Sequence, residues 1–256
     1  MNPLQRTLIE KTGHDHGFEH VLAQDANSVT LASARHRARA VMSVLPEGSF
    51  EALFQPATPM LLPELRRSFA NAVTGDEATF HAVTLADLAQ LLRRAANLSQ
   101  ALPSQAAQDY QVALANELAQ LPPSVSGTEV ERIVSQRVGQ ERFRAAMLDY
   151  WGGSCAVTGV AIPEVLRASH AKPWAQCISD AERLDVFNGF LLVANLDALF
   201  DRFLISFDDD GRMLFSPRLA PQDWQGLGIQ PGMALRWLAD THRPYLAWHQ
   251  KRFATG

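Results

Sequence analysis

The stretch that decides the fold of the C-terminal half is FNGFLLVANLDALFDR, residues 187–202. After Phe187 come Asn188 and Gly189, a dipeptide typical of tight turns, and the stretch continues as an apolar run that favours a β-strand. Asn195 interrupts the apolar run and is predicted to be the N-cap of the short helix that follows. Polar residues therefore stand only where a turn, a strand and a helix meet.

A second stretch, SHAKPW, residues 169–174, precedes the first and follows a predicted strand. It places His170 before Asn188, so the order is strand, turn, strand and helix, with polar groups at the joints. Downstream, residues 204–215 predict a β-hairpin whose turn is the acidic segment 208–211. The segment around His249, near the C-terminus, is interpreted as a closing helix packed on this core.

The N-terminal half predicts a mainly helical domain over residues 1–125. Residues 33–43, 78–98 and 110–121 have the composition or apolar spacing of helices, and Arg35, Arg37 and Arg39 form a basic face on the first of them. The segment LPPSVSG, 121–127, is the predicted domain boundary because a proline pair cannot continue a helix. A second domain is expected over 128–256, opening with a helix from 129 to about 151 that Thr128 and Glu131 would cap.

Composition excludes several classes of protein. With 47% hydrophobic and 20% charged residues, the 256-residue chain is neither disordered nor a fibrous rod. Two cysteines exclude a disulfide framework and a four-thiolate zinc site. No apolar run is long enough to span a bilayer and no secretory signal is seen, so cytoplasmic residence without a membrane partner is expected. The net charge of −4 means that any nucleic-acid site must be a local patch.

Five motifs, in order, resemble the HNH endonucleases, which are named for a His-Asn-His motif. They are QRVGQERFR, CAVTG, ASHAKPW, RLDVFNGFLL and NLDALFD, and the resemblance covers about residues 128–219. It implies a ββα-metal nuclease domain after the helical domain, and hence an α+β protein. Relatives read much like NLHALFD where this chain reads NLDALFD, so it is an H-N-D variant.

The resemblance implies roles for single residues. His170 is the expected general base, since a neutral imidazole takes a proton from water near neutral pH. Asn188 is expected to orient His170 through hydrogen bonds to the backbone. Asp197 is the expected metal ligand in place of the usual third histidine. Ser169 stands where many members carry a second ligand, so Asn195 and Asp201 are further candidates for the metal.

The implied activity is hydrolysis of phosphodiester bonds in DNA, leaving 5′-phosphate and 3′-hydroxyl ends. One divalent ion, Mg²⁺ or Mn²⁺, is expected because the donors are oxygen atoms, and no structural zinc is expected. Lys172, Arg167 and Arg202 are candidates for contact with phosphate. Restriction of foreign DNA or another defence role is a natural setting, and double-strand cleavage would need two events or a homodimer.

Two alternatives stay open at this point. The departures at Ser169 and Asp197 are also compatible with a catalytically decayed HNH-like module that binds DNA or protein. A nuclease acting on RNA or on single strands is equally compatible with the motifs, because contacts to phosphate do not report the sugar. Metal dependence separates the first alternative from the endonuclease, and a comparison of substrates separates the second.

Overall fold

The structure is a computed structural model that describes residues 1–76, 78–121 and 127–255, without the side chain of residue 104. It has two compact units, Met1–Gln105 and Ala106–Gly256, and the α+β class is confirmed. The division comes before the boundary proposed from the sequence at 121–127, most of which lies outside the described residues. The helix preceding that boundary is joined to the second unit by a hydrogen bond of 2.6 Å between the Tyr110 and Ser135 hydroxyls.

The first unit is built on a five-stranded antiparallel sheet whose strands follow the order of the chain. Helices from the same unit cover one face of the sheet, so buried and more exposed residues alternate along the second to fifth strands, as Phe50, Ala52 and Phe54 show, whereas the first strand is exposed throughout. The strands are β1 (His20–Gln24), β2 (Ser28–Ala32), β3 (Arg39–Val44), β4 (Phe50–Gln55) and β5 (Thr79–Ala82). The helices are α1 (Pro3–Asp15), α2 (Leu61–Ser68) and α3 (Leu85–Ala101), with a 3₁₀ turn at Ala70–Ala72.

The predicted helix at 33–43 is wrong, and the mainly helical first domain has a sheet at its centre. Residues 39–44 form β3 because Ala40 and Met42 are buried between β2 and β4, a period of two that only a strand satisfies. The helix predicted over 78–98 begins later, at Leu85, after β5. The Thr84 hydroxyl caps it by accepting a hydrogen bond from the Asp87 N–H at 3.1 Å.

The second unit contains the predicted order of strand, turn, strand and helix. Strands β6 and β7 pair antiparallel, and α7 follows β7 directly. The hairpin of β8 and β9 is also confirmed, with Asp208 accepting backbone N–H groups across its turn. The elements are α4 (Pro103–Ala119), α5 (Thr128–Tyr150), β6 (Leu166–His170), α6 (Asp180–Leu184), β7 (Gly189–Val193), α7 (Ala194–Asp201), β8 (Ile205–Phe207), β9 (Met213–Phe215) and α8 (Arg243–Phe253). Short 3₁₀ turns lie at Pro163–Val165, Trp174–Gln176, Pro221–Asp223 and Asp240–His242.

Two predicted helix caps in this unit are wrong. Helix α5 begins at Thr128, so its N-cap is Gly127, and no side chain caps it. Helix α7 begins at Ala194 after Val193, which leaves Asn195 inside the first turn rather than at the N-cap. In the described part of the chain, no helix has both the length and the apolar character needed to cross a membrane.

Candidate active site

A cavity of about 500 Å³ opens in the second unit where the end of β6, helix α5 and helix α7 meet. His170, Asp197, Asp201 and Arg167 all line it, although 31 positions separate the first from the last aspartate. The hairpin delivers His170, and α7 presents the two aspartates one helical turn apart, on the same face. The structure thus brings four of the site residues predicted from the sequence together in the lining of one cavity.

His170 is held in a single orientation by two contacts. Its ring stacks on Phe143 of α5, with 3.8 Å between the ring centroids, and its Nε2 lies 2.9 Å from the carbonyl oxygen of Arg183. A carbonyl oxygen only accepts hydrogen bonds, so Nε2 carries the proton and the free lone pair is on Nδ1. Burial lowers the pKa of His170 to about 4, which keeps the imidazole neutral at physiological pH.

Asn188 is fully buried and joins the loop after His170 to the segment before β7. Its Oδ1 accepts the Lys172 N–H at 2.8 Å, and its Nδ2 donates to the carbonyl oxygens of Lys172 at 3.1 Å and Glu182 at 3.0 Å. The Glu182 carbonyl is one residue before the Arg183 carbonyl that accepts from His170. The Asn188 side chain therefore holds both the loop that follows His170 and the backbone next to the carbonyl that accepts from His170.

Gly189 allows the two strands of the hairpin to approach closely beside the site. It is paired with His170 in the β6–β7 register. A Cβ atom at position 189 would overlap the backbone carbonyl of Ser169, which cannot move without separating the strands. The glycine is required by this close approach.

Asp197 and Asp201 share the cavity as a pair of carboxylates with raised pKa values. Loss of solvent is the main cause for both, and for Asp201 the negative charge of Asp197 adds to it. The Ser169 hydroxyl, which is buried, donates to Oδ1 of Asp201 at 3.2 Å. Two partly desolvated carboxylates on one helical face form a site that favours a bound cation.

The three predicted phosphate-contact residues have different surroundings. Arg167 and Arg202 are both exposed, and their positive charges lower the pKa of Asp197, which places them near the cavity. The Lys172 side chain is only 15% exposed, and its Nζ lies 2.9 Å from both carboxylate oxygens of Glu182. The structure therefore places Lys172 in an internal ion pair and leaves Arg167 and Arg202 as the exposed residues among these three candidates.

Asn195 is not among the residues that line the cavity. Its Nδ2 donates to the carbonyl oxygen of Leu227 at 2.7 Å, which ties the first turn of α7 to a later loop. Residues two apart on a helix do not face each other, so Asn195 and Asp197 point to different sides. The structure does not bring Asn195 together with the two aspartates.

Residues 155–208 match the family model of the HNH endonucleases. The matched segment runs from the turn before β6 through β8 and contains His170, Asn188, Asp197 and Asp201. The chain carries an HNH endonuclease domain. The match covers about a fifth of the chain, and no curated protein matches the chain. The domain indicates a nuclease that acts on nucleic acid.

The donors of the HNH domain fit a hard divalent cation. Asp197 and Asp201 offer carboxylate oxygens, and Mg²⁺ is usually held by one or two carboxylates together with water and substrate phosphate. Across the described residues, no cluster of three or more His, Cys, Asp or Glu side chains forms a complete protein cage for a metal. The two-carboxylate site therefore suits an ion that keeps much of its water.

Sequence reasoning missed three contributors to the HNH site. Phe143 stacks on His170, the Arg183 carbonyl fixes its tautomer, and His249 of α8 lines the same cavity. The N–H on Nε2 of His249 donates to the carbonyl oxygen of Phe200 at 2.9 Å, next to Asp201, and its Nδ1 lies 3.0 Å from the Ser206 hydroxyl. No local pattern announces these contacts, because each joins segments that are distant in the chain.

Proposed function

We propose that the protein is a metal-dependent endonuclease that hydrolyses phosphodiester bonds in DNA. The observation that carries the proposal is the pairing, in one cavity, of a neutral imidazole of defined tautomer with two carboxylates on one helical face. The alternative of a catalytically decayed HNH-like module gives no reason for such a base, because a site that only binds DNA does not require a neutral imidazole.

The roles of the residues follow from their surroundings. His170 takes a proton from the attacking water at Nδ1, while the Arg183 carbonyl holds the proton on Nε2. Asp197 and Asp201 would hold Mg²⁺ or Mn²⁺. When bound, the ion supplies Lewis-acid stabilisation of the phosphate and the departing oxygen. Arg167 and Arg202 would contact phosphate and set the strand across the cavity.

The first test is nicking of supercoiled plasmid by the full chain in EDTA, Mg²⁺ or Mn²⁺. Wild type is compared with His170→Ala and with the control variant His14→Ala, whose side chain is 71% exposed in the other unit. Loss of a general base typically costs about 10²–10⁴ in rate, so nicking should nearly vanish only in His170→Ala. Nicking that persists in His170→Ala would refute the assignment of the base.

The substrate and the setting are tested separately. Equal digestion of duplex DNA, single-stranded DNA and RNA by the same preparation would contradict the proposed preference for DNA. Absence of nicking with every metal, together with retained DNA binding, would favour the binding module. Because one site cuts one strand, nicks should precede linear product. Homodimer formation and a role in restriction or defence stay predictions.

A further inference from the structure

The first unit has a row of three exposed arginines, Arg35, Arg37 and Arg39, which we call the arginine row. The residues between them, His36 and Ala38, are buried, and the alternation continues into β3. Strand β3 begins at Arg39, and the chain bends at positions 34, 35 and 37, so the arginine row leads into the strand. Because the residues between them are buried, the three exposed arginines present their charge to solvent within five positions of the chain.

The backbone under the arginine row is anchored. The Nε2 of His36 lies 3.1 Å from the carbonyl oxygen of Gly17, and its ring meets Phe18 edge-on, with 4.9 Å between the centroids. Ala38 and Ala40 are at most 1% exposed, and Ala40 pairs with both β2 and β4. Because the backbone of this segment is held in place, binding of a ligand would cost conformational entropy only in the arginine side chains.

The arginine row is concentrated positive charge in an otherwise near-neutral unit. Residues 1–105 contain nine Lys or Arg against ten Asp or Glu, and no acidic residue lies between positions 28 and 46. One carboxylate, that of Glu19, reaches the segment from outside it by accepting the Ala34 N–H at 3.0 Å, so three arginines stand beside a single acid there. Across β3 and β4, Arg39 faces the neutral Gln55. Within the described parts of the chain, none of the ion pairs includes an arginine of the row.

We propose that the arginine row binds the phosphate backbone of duplex DNA and makes the first unit a DNA-binding unit. The inference rests on the proposed function, because it takes DNA as the ligand of the chain. Arginine is well suited to phosphate, since its guanidinium stays charged and offers paired N–H donors. A row of charges without base-reading side chains supplies affinity and position rather than sequence specificity.

The test measures binding rather than cleavage. A fluorescent DNA duplex is titrated with the full chain in EDTA, and anisotropy gives the dissociation constant at several NaCl concentrations. Each phosphate contact contributes about 0.9 to the slope of log affinity against log salt. The variant Arg35→Gln, Arg37→Gln, Arg39→Gln should therefore lower the slope by about 2.7 and weaken binding at low salt.

The matched control replaces Arg132, Arg212 and Arg243 with Gln, which changes the net charge equally. These three arginines are exposed and belong to the second unit, where each pairs with an acidic residue. The control should keep the slope of wild type to within about one contact. Melting curves should be alike for wild type and the row variant, because the three side chains are exposed.

Each outcome bears on the arginine row. A selective fall in slope supports it, even if the plasmid assay finds no nuclease activity. An unchanged slope, or an equal fall in the control, refutes it even if nicking is confirmed. If the row variant loses binding to vesicles of phosphatidylserine and phosphatidylcholine but not to DNA, the row serves a membrane surface and the proposal is overturned.

Discussion

The burial of His249 predicts that the second unit loses stability on mild acidification. Burial lowers the pKa of this imidazole from its ordinary 6.5 to about 4. Between these two pH values His249 is protonated in the unfolded chain but not in the folded chain, so the free energy of unfolding falls as the pH falls. The contribution is complete above about pH 6.5 and is lost progressively towards pH 4.

The magnitude follows from the same two values. Between pH 7 and pH 5, proton linkage at His249 lowers the free energy of unfolding by about 1.8 kcal/mol, at 1.36 kcal/mol per pKa unit. His170 contributes a similar loss, and the raised pKa values of Asp197 and Asp201 act in the opposite direction. A comparison of variants at one position is therefore needed to isolate His249.

The assay is urea unfolding at pH 7 and pH 5, followed by tryptophan fluorescence. All five tryptophans belong to the second unit, so the signal reports that unit within the full chain. His249→Gln cannot titrate, and its pH-dependent loss should be smaller than that of wild type by about 1.8 kcal/mol. The control Ser206→Ala removes the hydroxyl beside Nδ1 but keeps the imidazole, so it should retain most of the pH dependence.

The reasoning would be refuted by equal pH dependence in wild type and His249→Gln. That result would mean that the pKa of His249 is the same in the folded and unfolded chains, as for a ring open to solvent. A lower stability of His249→Gln at pH 7 alone does not bear on the question. The lost contacts with Phe200 and Ser206 account for such a change, typically about 1 kcal/mol for each hydrogen bond.

Three further outcomes are expected. Gly189→Ala should unfold at a much lower urea concentration than wild type, because its Cβ would overlap the carbonyl of a neighbouring strand. The control Gly226→Ala, whose Cβ would make an ordinary 3.6 Å contact, should unfold near the wild-type midpoint. Equal midpoints for the two variants would contradict the close approach of the strands at Gly189. Asn188→Ala should slow nicking and shift its pH profile, since the backbone around the base loses three of its hydrogen bonds; an unchanged profile would reduce Asn188 to a fold role. Asp197→Asn should raise the Mg²⁺ concentration for half-maximal nicking, while Asp209→Asn, exposed at a hairpin turn, should leave it unchanged.

The hairpin and helix of the HNH domain could be predicted because its polar residues interrupt apolar runs only at turns. Asn188 marks the turn, the apolar run after Gly189 marks β7, and the next polar residues mark α7. The position of the cap was missed by two residues, since the N-cap is Val193 and Asn195 lies in the first turn, where its Nδ2 donates to the Leu227 carbonyl. This contact joins positions 32 residues apart, which local sequence cannot show.

The sheet of the first unit could not be predicted because residues 33–43 fit two periods. Their alanines and arginines have high helix propensity, and propensity favours a helix when each segment is considered alone. The alternation of His36, Ala38 and Ala40 with arginines fits a strand equally well. Neighbouring strands decide the outcome, since Ala40 pairs with Leu31 on one side and Phe54 on the other.

The site depends on more of the chain than the HNH match itself. The match spans residues 155–208. Phe143 of α5, which stacks on His170, precedes it, and His249 of α8, which donates to the Phe200 carbonyl at the end of α7, follows it. Phe143 and His249 are not proposed to react, but the first packs on the imidazole of His170 and the second holds the Phe200 carbonyl beside Asp201. The motif therefore contains the residues that we propose to react, while the helices on either side of it supply the contacts that desolvate His170 and hold the end of α7.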